Sequence, residues 1–343
     1  MRTRPPARRL LRAGALVPVA LLALAAGCGT TSDPVEPAEE GASASSGGQA
    51  VVVQDAAGAD VVLPDGPATE VVALEWGQAE ILTSLGVDVV GLSDVEGYTS
   101  WVGESAPLRT EPTDVGLRTE PSVEQIADLQ PDLVVGVERS VPDGVLGQLE
   151  QIAPVLLVGD ADASDPLGAV TEQVQTIATA VGAQEEADAL VAGMEERLAE
   201  NAQTVAEAGL EGTPVVFTSP FADGANVTVR MHGPGSAPQA VMTAMGLEPA
   251  WTEEGDAGYG LSSIDVEGLT ALPDDTFFLW WANGDSEDPV QSYLGDNAVW
   301  TSLPFVQDGR VSAAAEGIWV YGGPASLADF SDDVTQVLTT QAG

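Results

Sequence analysis

Few side chains in this sequence could do chemistry. Past Arg12 the chain carries six arginines and no lysine, against 53 Asp and Glu. Guanidinium groups grip carboxylates and other polarised oxygens through paired, planar hydrogen bonds. Three of the six stand where strand-like runs or their flanking loops end: Arg118 before Pro121, Arg139 just past Val137, and Arg230 after Val227-Thr228-Val229. Loops beyond strand ends are where ligands bind in α/β sheets, so these three are the candidate binding cations. Arg109, Arg197 and Arg310 read as solvated or locally paired. With a formal net charge of −42, an anion can be held only where the rare cations gather.

Aromatic residues make up 5% of the chain, yet they cluster at the same loops. Trp76 follows the first strand-like run, Tyr98 and Trp101 the second. Trp280 and Trp281 close a later run, and Trp319 and Tyr321 follow Val311-Ser312-Ala313. Amphipathic rings can pack the apolar arms of a ligand and still give one hydrogen bond. Strand neighbours alternate faces, so one of Trp280 and Trp281 turns toward the ligand. Trp281 is the candidate, alongside Trp76, Tyr98 and Trp319.

Other chemistries are excluded by what is missing. One histidine, His232, and one cysteine, Cys28, cannot build a His/Cys metal cage. The absence of lysine and of any Gly-x-Ser-x-Gly removes the usual hydrolase nucleophiles. The weak adjacency of His232 to Ser236 lacks a strand–turn–helix context. These features describe a binding protein with no covalent cofactor and no direct metal ligands, not an enzyme. Its acidic surface repels nucleic acid.

The elements that must position these residues alternate. Short apolar runs at 71–74, 89–92, 133–137 and 155–158 are separated by amphipathic stretches such as 79–85 and 123–129. Buried strands alternating with helices predict parallel α/β packing. The order then recurs, with strand-like runs at 215–218 and 276–281. Residues 79–87, ending Leu85-Gly86-Val87, align with 239–247, ending Met245-Gly246-Leu247. Likewise Glu124-x-Ile126-x-x-Leu129-x-Pro131-Asp132 aligns with Glu267-x-Leu269-x-x-Leu272-Pro273-Asp274. Two matches in one order predict two similar lobes. Between them the pattern predicts a helix over 166–181, with Pro166 in its first turn and Gly182 as its stop.

The N-terminus carries an export signal: five arginines, an apolar run from Ala13 to Ala26, then Gly27-Cys28. The run is too short to span a bilayer. Its end resembles a bacterial lipobox, which makes Cys28 the lipidated first residue of the mature chain. Residues after it are rich in Ser, Gly, Pro and Glu and predict a disordered tether. The expected organisation is a signal peptide at 1–27, a tether at 28–49, an N-terminal lobe at 50–164, a linking helix at 165–182 and a C-terminal lobe at 183–343.

Val72-Ala73-Leu74-Glu75-Trp76 with Glu80 and Leu85-Gly86-Val87 resembles the opening of bacterial ferric-siderophore-binding proteins. So does Asp114-Val115-Gly116-Leu117-Arg118-Thr119-Glu120-Pro121-Ser122-Val123-Glu124. Within that family the chain is most similar to ferric-citrate- and hydroxamate-binding members, over nearly all of residues 50–340. The resemblance implies two Rossmann-like α/β lobes joined by a single long helix, with a ferric siderophore held between them and passed to an ABC-type permease. It implies ligand contacts at Arg118, Arg139, Trp76 and Trp319, and less directly at Arg230. It also implies that Glu124 and Glu267 dock on permease arginines. A monomer, lipid-anchored at the outer face of the cytoplasmic membrane, is expected. A cobalamin or haem carrier, and a surface sensor or adhesion module, remain as alternatives.

Overall fold

The computed structural model describes residues 49–223, 226–281 and 288–342. The signal segment, Cys28 and all but the last residue of the tether lie outside the described residues.

In the first lobe the apolar runs become strands β1 (Val51–Gln54), β2 (Asp60–Leu63), β3 (Val71–Ala73), β4 (Val89–Leu92), β5 (Thr113–Asp114), β6 (Gly116–Leu117), β7 (Glu120–Pro121), β8 (Leu133–Val137) and β9 (Val155–Val158). Helices α1 (Trp76–Ser84), α2 (Val95–Trp101), α3 (Val123–Leu129) and α4 (Asp143–Leu149) separate them. Five strands form a parallel sheet in the order β5-β4-β3-β8-β9. The pairs β1–β2 and β6–β7 are antiparallel hairpins. Val71, Ala73 and Val135 pack with Ile81 and Leu82 on one face of this sheet, Val72 and Val134 with Ile126 and Leu149 on the other. Burial of both faces is why these strands are uninterrupted apolar runs in the sequence.

Helix α5 (Pro166–Val181) follows. The Asp165 carboxylate caps it by accepting from the Gly168 N–H at 3.1 Å. Its other end stops at Gly182, whose φ is 71°. The second lobe comprises α6 (Gln184–Glu207), β10 (Pro214–Asp223), β11 (Asn226–His232), α7 (Ala237–Ala244), β12 (Glu248–Pro249), β13 (Leu261–Ile264), β14 (Phe277–Trp280), α8 (Pro304–Gln307), β15 (Val311–Ala313) and α9 (Pro324–Ala342). Its strands are ordered β13-β11-β10-β14-β15, with β12 also paired to β10. Helix α5 packs against β1, α1 and β9 on one side and α7 on the other. The fold is two α/β lobes joined by this helix.

The repeat is visible in the backbone. After α1, Gly86 (φ 81°) donates to Thr83 O and Val87 to Leu82 O, and the chain turns into β4 beside β3. After α7, Gly246 (φ 82°) donates to Thr243 O and Leu247 to Met242 O, and the chain turns into β12 beside β10. Both are Schellman turns, and both need a residue tolerant of positive φ.

The second sheet departs from the expected all-parallel packing. β10 pairs antiparallel with β11 from Phe217–His232 to Asp223–Asn226, and β13 pairs antiparallel with β11. The chain folds straight back on itself after β10, and such a short return permits only antiparallel pairing. The stretch opened by Glu267 also differs from its counterpart. It is a 3₁₀ turn, Glu267–Ala271, whose preceding residue Val266 offers no side-chain cap, whereas Ser122 caps α3. Among the described residues no helix is long and apolar enough to cross a membrane.

Candidate functional site

In the first sheet, β3 leads outward to β4 and β5, while β8 leads the other way to β9. The loops leaving β3 and β8 therefore part company, opening a crevice at the carboxyl ends of these strands. Glu75 stands on the first of these loops and Arg139 on the second. Arg118 lies in the two-residue turn between β6 and β7. From the second lobe come Arg230, Tyr259, Trp319 and Tyr321. All seven line one cleft of about 450 Å³, whose floor is crossed by α5 at Pro166, Ala169 and Gln173.

The three guanidinium groups differ in their surroundings. Arg118 donates to Glu75 Oε2 at 2.9 Å, and its guanidinium carbon sits 3.9 Å from the centre of the Trp76 ring and 5.3 Å from that of Trp319. Arg139 pairs through Nε with Asp160 at 2.6 Å, leaving the rest of its side chain open to the cleft. Arg230 has no carboxylate partner among the described residues and lies 5.4 Å from the centre of the Phe221 ring. The cleft is thus less positive than the arginine count implied, because Glu75 and Asp160 line it too. Arg109 and Arg197 pair with surface acids, and Arg310 reaches a backbone carbonyl and the Phe277 ring.

Arg230 reaches the cleft for a reason other than the expected one. β11 runs on through His232, so Arg230 lies inside the strand, opposite Ser219 and Ser263. It projects from a sheet face rather than from a loop.

Four tryptophans join the lobes. Trp76 meets Trp319 edge-on at 4.9 Å, Trp319 meets Trp281 at 5.0 Å, and Trp281 meets Trp101 at 5.1 Å. Trp319 lines the cleft, while Trp76 is 5% exposed and donates its Nε1–H to Asp94 O. Trp76 therefore backs Arg118 instead of forming the cleft wall. Trp281 sits past the end of β14, with its Nε1–H on Ile318 O, and supports Trp319 and Tyr321 from behind. Trp280 points into the opposite core, packed with Phe278.

Tyr98 is corrected. It is fully buried in the first-lobe core and donates its hydroxyl to Ala106 O at 2.7 Å. Burial, with Glu80 nearby, pushes its hydroxyl well above the ordinary value. A tyrosine after a strand can turn inward when a carbonyl waits there to satisfy it. Tyr321 is the more informative phenol. It lines the cleft, stacks on His232 and packs edge-on against Tyr259, yet its hydroxyl is buried without a hydrogen-bond partner among the described residues. Burial raises its proton affinity, partly offset by Arg230. Its place beside Trp319 at the end of the aromatic cluster was the only signal in the sequence.

His232 is 1% exposed beneath Tyr321, with Nε2 bonded to Ser219 Oγ at 2.9 Å. Burial, helped by the Arg230 charge, pushes its pKa down to about 3. Glu124 and Glu267 are both exposed, one on each lobe, in the first turns of α3 and of the 3₁₀ segment.

Among known proteins, the chain is 28% identical over 260 residues to the iron(3+)-hydroxamate-binding protein FhuD of Escherichia coli, covering 76% of this chain and 83% of that one. It is 28% identical over 250 residues to the Fe(3+) dicitrate-binding periplasmic protein FecB of the same species, covering 73% and 77%. The crystal structure of an Fe3+–Desferal-bound siderophore-binding protein FhuD from Vibrio cholerae superposes with a TM-score of 0.71 at 26% identity, over 80% of this chain and 99% of that one. Residues 71–316 match the periplasmic binding protein family, and the chain belongs to that family.

Proposed function

We propose that this protein is the extracytoplasmic binding component of an ABC importer, and that it carries a ferric siderophore in the cleft between its lobes. The observation behind this reading is the convergence of Arg118, Arg139 and Arg230 with Tyr259, Trp319 and Tyr321 on one cleft of about 450 Å³. Guanidinium and phenol donors suit the polarised oxygens around a chelated iron, and the rings suit the apolar arms. The iron arrives already chelated. His232, buried under Tyr321, is out of reach as a haem ligand, which disfavours a haem carrier.

The charges favour a hydroxamate over a citrate complex. Arg118 and Arg139 each already face an acid, so the lining groups sum to little net charge. A polyanionic ferric citrate would meet Glu75 and Asp160 at close range, whereas a nearly neutral ferric trihydroxamate would not. In this reading residues 50–164 and 183–343 are the two lobes, the 165–182 helix spaces them, lipid on Cys28 tethers the monomer to the membrane, and Glu124 and Glu267 meet the permease.

The experiment is a tryptophan-fluorescence titration with a ferric trihydroxamate and with ferric citrate. The expected result is strong quenching by the trihydroxamate, since iron would lie close to Trp319 and the rings behind it. Quenching by neither would reject the siderophore reading, and tighter binding of citrate would reverse the choice between them.

A further inference from the structure

Glu80 is a charged residue with no access to solvent. It lies on α1 of the first lobe at 0% exposure, and it meets the start of α9 in the second. Its Oε1 accepts from the Ser326 backbone N–H at 2.9 Å and its Oε2 from the Ser326 Oγ–H at 2.7 Å. The Gly323 N–H also donates to it.

Four other helices are capped from their own chain entry, α2 by Asp94, α3 by Ser122, α5 by Asp165 and α7 by Ser236. α9 opens with Gly322-Gly323-Pro324 and has no such residue before it. A helix start leaves N–H groups unpaired and favours negative charge. Here a carboxylate 246 positions upstream supplies both. The approach is close enough that a Cβ at Gly322 would fall on Glu80 Oε2. The segment so held, 319–323, is the one that carries Trp319 and Tyr321 to the cleft.

We propose that Glu80 is a positioning residue of the cleft: by capping α9 across the lobe boundary it holds Trp319 and Tyr321 in register with Trp76 and Arg118. Burial raises the Glu80 pKa to about 7 against its hydrogen bonds, with Asp329 adding to the rise. The groups facing it are Tyr98 from α2, Asp329 from α9 and the Ser326 hydroxyl. β3 and β4 present apolar Ala73 and Leu92 to the same core, and α5 offers the Gln173 amide, bonded to Gln78. Protonation relieves a buried charge and so favours the folded chain as a whole, but it removes one acceptor and the charge from the α9 cap, whose Ser326 and Gly323 hydrogen bonds favour the carboxylate. The register of Trp319 and Tyr321 therefore loosens within the folded state as pH falls through neutrality.

The test is near-ultraviolet circular dichroism of the ligand-free protein against pH, for the wild type, Glu80→Gln, Ser326→Ala and Asp329→Asn. The tryptophan signal should titrate near neutrality in the wild type and in Asp329→Asn. In Glu80→Gln it should be flat and match the acid limb of the wild type, with far-ultraviolet spectra unchanged. Ser326→Ala should shift it in the same direction, and combining it with Glu80→Gln should add little. Affinity for a ferric trihydroxamate, in the part of the test that rests on the proposed function, should fall severalfold in Glu80→Gln at alkaline pH and not at acidic pH. A wild-type spectrum and pH profile in Glu80→Gln overturns the proposal. Should Glu80→Gln fail to fold, a Ser326→Ala protein with an unaltered signal overturns it equally. A wild type that binds no chelate sinks the siderophore reading alone, because the ligand-free spectra still decide the role of Glu80.

Discussion

The Arg118 guanidinium lies 3.9 Å from the centre of the Trp76 ring while it donates at 2.9 Å to Glu75. The ring and the carboxylate come from consecutive residues at the end of β3, so one short loop orients the cation from two sides. A planar group can stack on the ring and keep other N–H donors free for the cleft, which an ammonium cannot do. Arg118→Ala should therefore weaken chelate binding by about 1–3 kcal/mol, and Arg118→Lys should recover less than half of that loss. Calorimetric titration measures both, and an unchanged dissociation constant in Arg118→Ala would remove this residue from the site.

Glu75 has a second effect, on selectivity. It places a negative charge on the lining of a cleft that otherwise suits anions. At an effective dielectric near 20 and a separation of about 8 Å, that charge opposes each negative charge on a ligand by on the order of 2 kcal/mol. Glu75→Gln should raise affinity for ferric citrate by at least tenfold relative to a ferric trihydroxamate. Parallel changes for both ligands would mean that Glu75 acts only by orienting Arg118.

How much of this was legible in the sequence depends on the range of the interaction. Arg118 and Arg139 were readable because their places follow from local strand and turn patterns. Arg230 was found by its rarity, although β11 extends past it and the loop argument did not apply. The lobe repeat was legible because Gly86 and Gly246 terminate α1 and α7 in the same way. The partners Glu75 and Asp160 were not, since 53 acids offer many candidates and only the folded chain selects two. Tyr98 misled because its neighbours in sequence resemble cleft aromatics, while the carbonyl that satisfies it lies on a later turn. The contact of Glu80 with Ser326 spans 246 positions, and no local pattern points to it.

Arg139 and Arg230 should behave differently on substitution. Arg139 is held by Asp160 on one side and is three-quarters exposed. Its loss removes a solvent-screened donor and should cost about 1 kcal/mol of binding or less at physiological salt. Among the described residues Arg230 has no acid to release when a ligand arrives and meets the Phe221 ring, so Arg230→Ala should cost more, about 1.5–3 kcal/mol. Equal losses for the two in calorimetry would contradict this ranking.

His232 should make the fold acid-sensitive. Its pKa is about 3 in the folded chain because burial disfavours the imidazolium, against about 6.5 when unfolded. The unfolded state thus binds the extra proton between these values. The stability contribution is complete above about pH 6.5 and is lost as pH falls toward 3, at up to about 1.4 kcal/mol per pH unit. Glu80 has the opposite sign, since its raised pKa of about 7 lets the folded state hold a proton that the unfolded chain releases. Its contribution is present below about pH 4.5 and is lost as pH rises toward 7. Urea unfolding from pH 4 to 8 should therefore show a steeper acid loss in Glu80→Gln and a shallower one in His232→Asn. Parallel profiles for the two variants would contradict the sign assignment.

Glu124 and Glu267 separate binding from delivery. Both are exposed, one on each lobe, and neither lines the cleft. Glu124 sits in the first turn of α3, where a carboxylate also favours the helix start by about 0.3–1 kcal/mol, so its reversal lowers stability slightly for a reason unrelated to any partner. Glu267 opens a single 3₁₀ turn, too short to gather a comparable dipole, and its reversal should leave the melting temperature where it was. If the two carboxylates dock on cationic groups of a permease, Glu124→Lys and Glu267→Lys should each leave the dissociation constant for the chelate unchanged and lower uptake of labelled iron in cells. The double reversal should abolish uptake, because each lobe would then be repelled at its own contact. Uptake that follows melting temperature across the three variants, instead of following charge, would reduce both glutamates to solvated helix starts.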